Sequence, residues 1–233
     1  MDNIPSPIYI CEEELLENNL KLLKKVQDEA DVNILLALKG FAMYSTFDMC
    51  KKYLKGCCAS GLNEAILASK EFGGEVHTYS PAFKANEFEQ ITQISNHIVF
   101  NSFNQFELYK DKVKKHNSLG FRINPEYSSV EVDIYNPCGV YSRLGITKKE
   151  FKLELPDMIE GLHFHALCEQ NVDALQGVLE KFEENFSQYF DKLKWVNFGG
   201  GHHITRSDYD VDGLISLLKE FKLRYPHLKV YLE

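Results

Sequence analysis

Asn33-Ile34-Leu35-Leu36-Ala37-Leu38-Lys39 is a short apolar run closed by a cation, and it follows an amphipathic helical pattern from about Glu12 to Glu29. An apolar run with no polar alternation reads as a strand buried on both faces, and such strands belong to parallel sheets covered by helices. The unit recurs. Similar runs lie at Gly56–Ser60, Glu75–Ser80, His97–Asn101, Leu119–Asn124, Ile159–His165, Lys194–Gly199 and Lys229–Glu233. Helical spacings fall between most of them, at Tyr44–Leu54, Asn63–Phe72, Asn86–Ile94, Gln105–Lys114, Val172–Phe190 and Val211–Tyr225. Eight alternations predict closure into a (β/α)8 TIM barrel occupying residues 1–233 as one domain, with an open doubly wound sheet as the competitor. A short extended piece, Pro7–Ile10, opens the chain. The stretch from Pro125 to Asp157 carries Asn124-Pro125-Glu126, Asn136-Pro137-Cys138-Gly139 and Leu155-Pro156-Asp157, and is expected to be a long functional loop with a short helix.

Composition narrows the function. The first twenty residues include Asp2 and Glu12 to Glu14 and hold no apolar core of a signal peptide. No segment is apolar for long enough to span a membrane. The six cysteines, Cys11, Cys50, Cys57, Cys58, Cys138 and Cys168, lack CxxC spacing, which argues against a disulfide framework or a zinc ribbon and fits a reducing cytoplasm. A net charge of -8 disfavours nucleic acid and is compatible with a polycationic substrate.

In a β/α barrel the active site forms at the carboxyl ends of the strands, so the run ends are the candidates: Lys39, Ser60, Ser80, Asn101, Arg122 with Asn124, His163 with His165, Gly199 to Gly201, and Glu233. Lys39, at the mouth of an apolar strand, is placed either as a Schiff-base amine or as a cation reaching solvent. Gly199-Gly200-Gly201 after the seventh strand allows a phosphate cradle or a tight turn. His163 and His165, two apart, share a face; they suit ring stacking on an aromatic cofactor, a core role, or zinc binding with His202 and His203. Arg122 on a core strand needs an anionic or carbonyl partner. Glu233 suits a carboxylate beside a pyridine nitrogen or a frayed terminus.

Together these motifs resemble the fold-type III decarboxylases that use pyridoxal 5'-phosphate (PLP), whose barrel is of the alanine racemase-like type. Ala37-Leu38-Lys39-Gly40 resembles the family's Schiff-base lysine segment, and Phe164-His165 its ring-stacking histidine. Cys168 stands near the position of a phosphate-binding serine, Gly199-Gly200-Gly201 resembles the phosphate loop, and Leu232-Glu233 the segment that binds the pyridine nitrogen. Cys58-Ala59-Ser60-Gly61 with Asn63-Glu64 resembles the second-strand motif. Leu36 to Phe41, Asn124-Pro125-Glu126, Tyr141-Ser142-Arg143-Leu144-Gly145 and His163 to Glu169 look most like the carboxynorspermidine/carboxyspermidine decarboxylase branch. The resemblance implies a carboxy-lyase acting on a polyamine-like amino acid in polyamine biosynthesis, with Lys39 and Glu233 catalytic. It implies that Lys39, His165, Cys168, Gly199, Gly200, Gly201, Arg122 and Glu233 hold PLP, with no metal. Family members are homodimers and continue past the glutamate into a β domain that this sequence does not contain. Diaminopimelate or ornithine decarboxylases and a non-catalytic PLP-binding barrel are the alternatives; a racemase is disfavoured because its pyridine nitrogen meets arginine.

Overall fold

Alternation of side chains along each strand sorts the apolar residues into two sets. Ile34, Val76, Ile98, Phe121, Leu162, Val196 and Val230 face outward into the layer beneath the helices, while Leu35, Val99, Trp195 and Tyr231 form a separate inner cluster with Cys58 and Tyr79. Both faces are dry, as the run of apolar residues in each strand requires. The computed structural model describes residues 5–130 and 132–233.

Eight parallel strands result: β1 (Asn33–Ala37), β2 (Gly56–Ala59), β3 (Glu75–Tyr79), β4 (His97–Phe100), β5 (Ser118–Arg122), β6 (Ile159–His163), β7 (Trp195–Asn197) and β8 (Lys229–Leu232). Each pairs with the next, and Asn33 and Ile34 lie in register with Tyr231 and Leu232, so the sheet closes. The predicted TIM barrel is therefore the fold, and the open sheet is ruled out. Gly161 faces the barrel axis, where a Cβ would overlap the Trp195 indole, so this glycine makes room for the large side chain that fills the centre. Below it, His77 and His97 stack with ring centroids 3.8 Å apart, and the Tyr231 hydroxyl donates to Glu75 at 3.0 Å.

Seven α-helices surround the barrel among the described residues: α1 (Glu13–Ala30), α2 (Phe47–Cys50), α3 (Leu62–Leu67), α4 (Phe88–Ile94), α5 (Phe103–Tyr109), α6 (Val172–Phe186) and α7 (Val211–Arg224). The first helix precedes the barrel and lies beside the last, joined by Lys25 and Asp212 at 3.0 Å. Gln27 on α1 receives the Ile34 N–H at 2.8 Å and donates to Tyr53 O at 2.7 Å, which fixes the entry into β1. No helix of the described residues is long and apolar enough to cross a membrane.

Several boundaries differ from expectation. The predicted helix Tyr44–Leu54 reduces to a 3-10 turn (Tyr44–Thr46) and the single turn of α2. Among the described residues Pro7–Ile10 pairs with no strand; residues 1–4, Asp2 among them, lie outside the described residues. The strands end one or two residues early. Backbone that must turn at the mouth leaves the ladder, as Gly40 N and Phe41 N do in bonding back to Ala37 O at 3.0 and 3.1 Å. Lys39, His165 and Gly199 thus stand just beyond β1, β6 and β7.

Between β5 and β6 the described residues form no α-helix. The short helix expected there is a 3-10 turn at Asp133–Tyr135, and buried Phe151 and Leu155 fill the helix layer instead, with Phe151 packed edge-on against Phe103 and Phe186. Prolines at 125, 137 and 156 break up the stretch by removing backbone donors.

Candidate active site

The strand ends converge on a small space at the barrel mouth, lined by Lys39, Cys58, Ser60, Tyr79, Arg122, His163, His165, Asn197 and Glu233 with a few core residues. Inward parity selects most of this set. Tyr79 points in while Ser80 bonds Ala82 O at 3.2 Å outside the lining, and Asn124 caps the Glu126 N–H at 2.8 Å. Ser80 and Asn124 are thus local turn residues.

Lys39 contributes the free amine. Among the described residues its side chain makes no hydrogen bond or ion pair, which leaves the nitrogen free to face the mouth as a nucleophile. Glu233 is held firmly: its N–H donates to Gly199 O at 2.9 Å, and Asn197 Nδ2 donates to its Oε1 at 3.0 Å. Burial opposes charge on this carboxyl, but His163, Lys39 and His165 and the Cys58 thiol outweigh it, and its pKa falls to about 2. The side chain is 9% exposed and ionised at neutral pH, with His163 Nδ1 at 3.6 Å. Burial, then Glu233, drives the Cys58 thiol well above its ordinary value, so it stays protonated.

His165 Nδ1 accepts the Gly200 N–H at 3.1 Å. An accepting Nδ1 leaves the ring proton on Nε2, and burial followed by the Lys39 charge lowers the pKa to about 3. The ring is neutral and edge-anchored, with its face free for stacking. His163 is likewise pushed down, to about 4, chiefly by burial. Arg122, 5% exposed, donates from Nη2 to His165 O at 3.2 Å and lies 4.8 Å over the Tyr79 ring, while its Nε has no partner.

The triple glycine is used more selectively than its sequence suggests. Gly199 N donates to Asn197 Oδ1 at 2.8 Å and Gly200 N to His165, so among the described residues only Gly201 N–H of the three lacks a protein acceptor. Gly199 and Gly201 have φ of +68° and +91°, and a Cβ would overlap Phe164 O at the first and Leu167 O at the second. Chain packing this close needs glycine. Cys168 is exposed beside Gly201, outside the lining of the central space.

These groups fit pyridoxal phosphate: an unpaired amine, an ionised carboxylate, a neutral imidazole face, an orphaned guanidinium Nε and an open N–H at a glycine turn. For the zinc alternative, His163, His165, His202 and His203 gather no three donors about one point. Among the described residues the three-donor group is Glu75, His77 and His97 at the barrel floor. Its two imidazoles are stacked at 11°, so their in-plane lone pairs do not converge on a single ion. Asn197, Tyr79 and Cys58 are the site residues that reading the last position of each run passes over; inward parity is the signal that finds them.

No protein-family model matches the chain. A carboxynorspermidine/carboxyspermidine decarboxylase of Campylobacter jejuni is 50% identical over 232 residues, covering 100% of this chain and 60% of the relative. A carboxyaminopropylagmatine decarboxylase of Synechocystis is 41% identical over 234 residues, again with 100% of this chain and 60% of the relative covered. The crystal structure of carboxynorspermidine decarboxylase from Campylobacter jejuni, complexed with norspermidine, superposes with a TM-score of 0.90 at 48% identity, over 99% of this chain and 59% of that one. Diaminopimelate decarboxylase from Helicobacter pylori shares the fold, with a TM-score of 0.74 at 16% identity over 93% of this chain and 61% of its own. The resemblance carried by the motifs is borne out along the whole chain, which spans about 60% of the length of these curated relatives.

Proposed function

We propose that this chain is the PLP-holding barrel of a decarboxylase that converts carboxynorspermidine or carboxyspermidine to norspermidine or spermidine. The observation that carries the reading is the meeting, in one barrel mouth, of the unpaired Lys39 amine with the ionised, buried Glu233 carboxylate. When bound, PLP supplies an electron sink for the pair left behind as CO2 departs. Lys39, whose unpaired amine lines the mouth, would be its attachment point. Glu233 keeps a proton at the ring nitrogen, because a buried carboxylate with a low pKa stabilises a cation beside it. His165 offers an uncharged face, so it supports the ring without competing for that proton. Gly201 N–H and Cys168 serve the phosphate end, with Gly199 and Gly200 positioning Asn197 and His165, and Arg122 adds a cation to the mouth.

The relatives' names share a carboxylated aminopropyl head and differ in the tail, so the barrel is assigned the head. Tail recognition, a β domain following Glu233 and a homodimer are parts of the same proposal, supported by the extra length of the relatives. Six free cysteines support a reducing cytoplasm. The test is release of CO2 by the full polypeptide with PLP, comparing carboxynorspermidine, carboxyspermidine, carboxyaminopropylagmatine, diaminopimelate and ornithine. Turnover of the first two supports the proposal. Preference for any of the others reassigns the substrate, and PLP uptake without turnover makes the barrel a carrier.

A further inference from the structure

Asn101, one residue beyond β4, is the meeting point of the pocket and the long loop after β5. Its Oδ1 accepts the Tyr79 hydroxyl at 2.8 Å and the Gly145 N–H at 2.8 Å, and its Nδ2 donates to Arg143 O at 2.8 Å. Its own N–H is held by Gln105 Oε1 at 2.7 Å, and Gln105 in turn donates to Ser80 O at 3.2 Å. The carboxamide oxygen uses both lone pairs, which fixes the amide orientation.

Each partner leads to Arg122. Tyr79 presents its ring to the guanidinium at 4.8 Å and lies 5.7 Å from His163. On the loop side, Ile146 N donates to Arg122 O at 3.0 Å and Ile146 O accepts from Asn124 N at 2.9 Å, so the loop runs back along the end of β5. Gly145 makes that approach at φ +87°, where a Cβ would come within 2.6 Å of the Ile123 carbonyl carbon. Among the described residues the guanidinium of Arg122 has one hydrogen bond, to His165 O, and an unpartnered Nε. Its direction is therefore set by that carbonyl and by the aromatic ring it faces, and the ring by the hydroxyl that Asn101 holds.

We propose that Asn101 is a positioning residue: it ties the loop after β5 to Tyr79 and, through the Tyr79 ring, holds Arg122 aimed into the mouth. Loop order and the cation of the site are thereby coupled. The part concerning the mouth rests on the PLP reading given above; the node itself does not.

The experiment uses the full polypeptide and reads backbone hydrogen exchange over residues 143–146 together with PLP affinity and the pH midpoint of the bound PLP absorbance. Loss of one hydrogen bond corresponds to about a five- to tenfold effect. Asn101→Ala is expected to speed exchange at Gly145 and to weaken PLP by about that factor, with a shifted pH midpoint. Tyr79→Phe should weaken PLP comparably and leave loop exchange near that of the wild type, and the double variant should bind PLP no worse than Asn101→Ala. Asn101→Asp keeps both acceptor bonds and should recover most of the affinity. A faster loop with unchanged PLP affinity and pH midpoint, or an unaltered Tyr79→Phe, overturns the coupling. A wild type that takes up no PLP would remove the reading of the mouth, and the exchange comparison would still decide the node.

Discussion

Glu233 and Lys39 are an opposite-charge pair sharing one cavity, and their roles separate cleanly on substitution. Glu233→Gln keeps the shape and the Asn197 contact but removes the negative charge that stabilises a proton on the ring nitrogen. Turnover is expected to fall by about a hundredfold or more, with PLP still bound, since preorganised charge of this kind typically supplies several kcal/mol. Single-turnover measurement of CO2 release checks this; a rate within a few-fold of the wild type would mean that Glu233 does not support the electron sink. Asn197 deserves a place beside Glu233, because its side chain bonds both that carboxylate and the Gly199 N–H.

Strands and loops were legible in the sequence to different degrees. Alternation of apolar runs with helical spacing located all eight strands, because burial on both faces leaves a composition that little else produces. Their ends were not legible: hydrogen-bond ladders stop where a neighbouring strand stops, which is tertiary information. For that reason the last residue of a run was a poor guide at Ser80 and Asn124, and Tyr79 and Asn197 were passed over. The glycine triplet located its turn but not the use of its N–H groups, one of which is taken by Asn197 two residues before it and another by His165, distant in sequence. Phe151 standing in for a helix was likewise invisible to periodicity. At this scale the barrel interior makes a sharp prediction at β6 and β7. Gly161→Ala forces a methyl into the Trp195 ring and should destabilise the protein by about 3 kcal/mol, at the upper end of typical overpacking costs. Urea unfolding measures it, and Trp195→Phe in the same chain should restore part of the loss. An unchanged midpoint for Gly161→Ala would show that the two residues do not pack as described.

For the whole molecule, the buried histidines set an acid limit. His97, His163, His165 and His202 are pushed by burial from 6.5 to about 2, 4, 3 and 4. Their folded pKa values are depressed, so the stability they permit is complete above about 6.5 and is lost as pH falls toward 4, where the unfolded chain takes up protons that the barrel refuses. Each such proton is worth about 1.4 kcal/mol per pH unit. Glu233 adds to the loss in the same direction between its ordinary 4.5 and about 2. The urea midpoint should therefore drop steeply from pH 7 to pH 5, less so in His202→Gln, and a flat profile would contradict neutral burial of these rings. Attachment of PLP to Lys39 can be read by borohydride reduction of the PLP-loaded protein followed by peptide mapping. One pyridoxyl group per chain is expected, on the peptide containing Lys39, and none in Lys39→Ala; a label on another lysine, or an unchanged label in that variant, would show that PLP is not carried on Lys39.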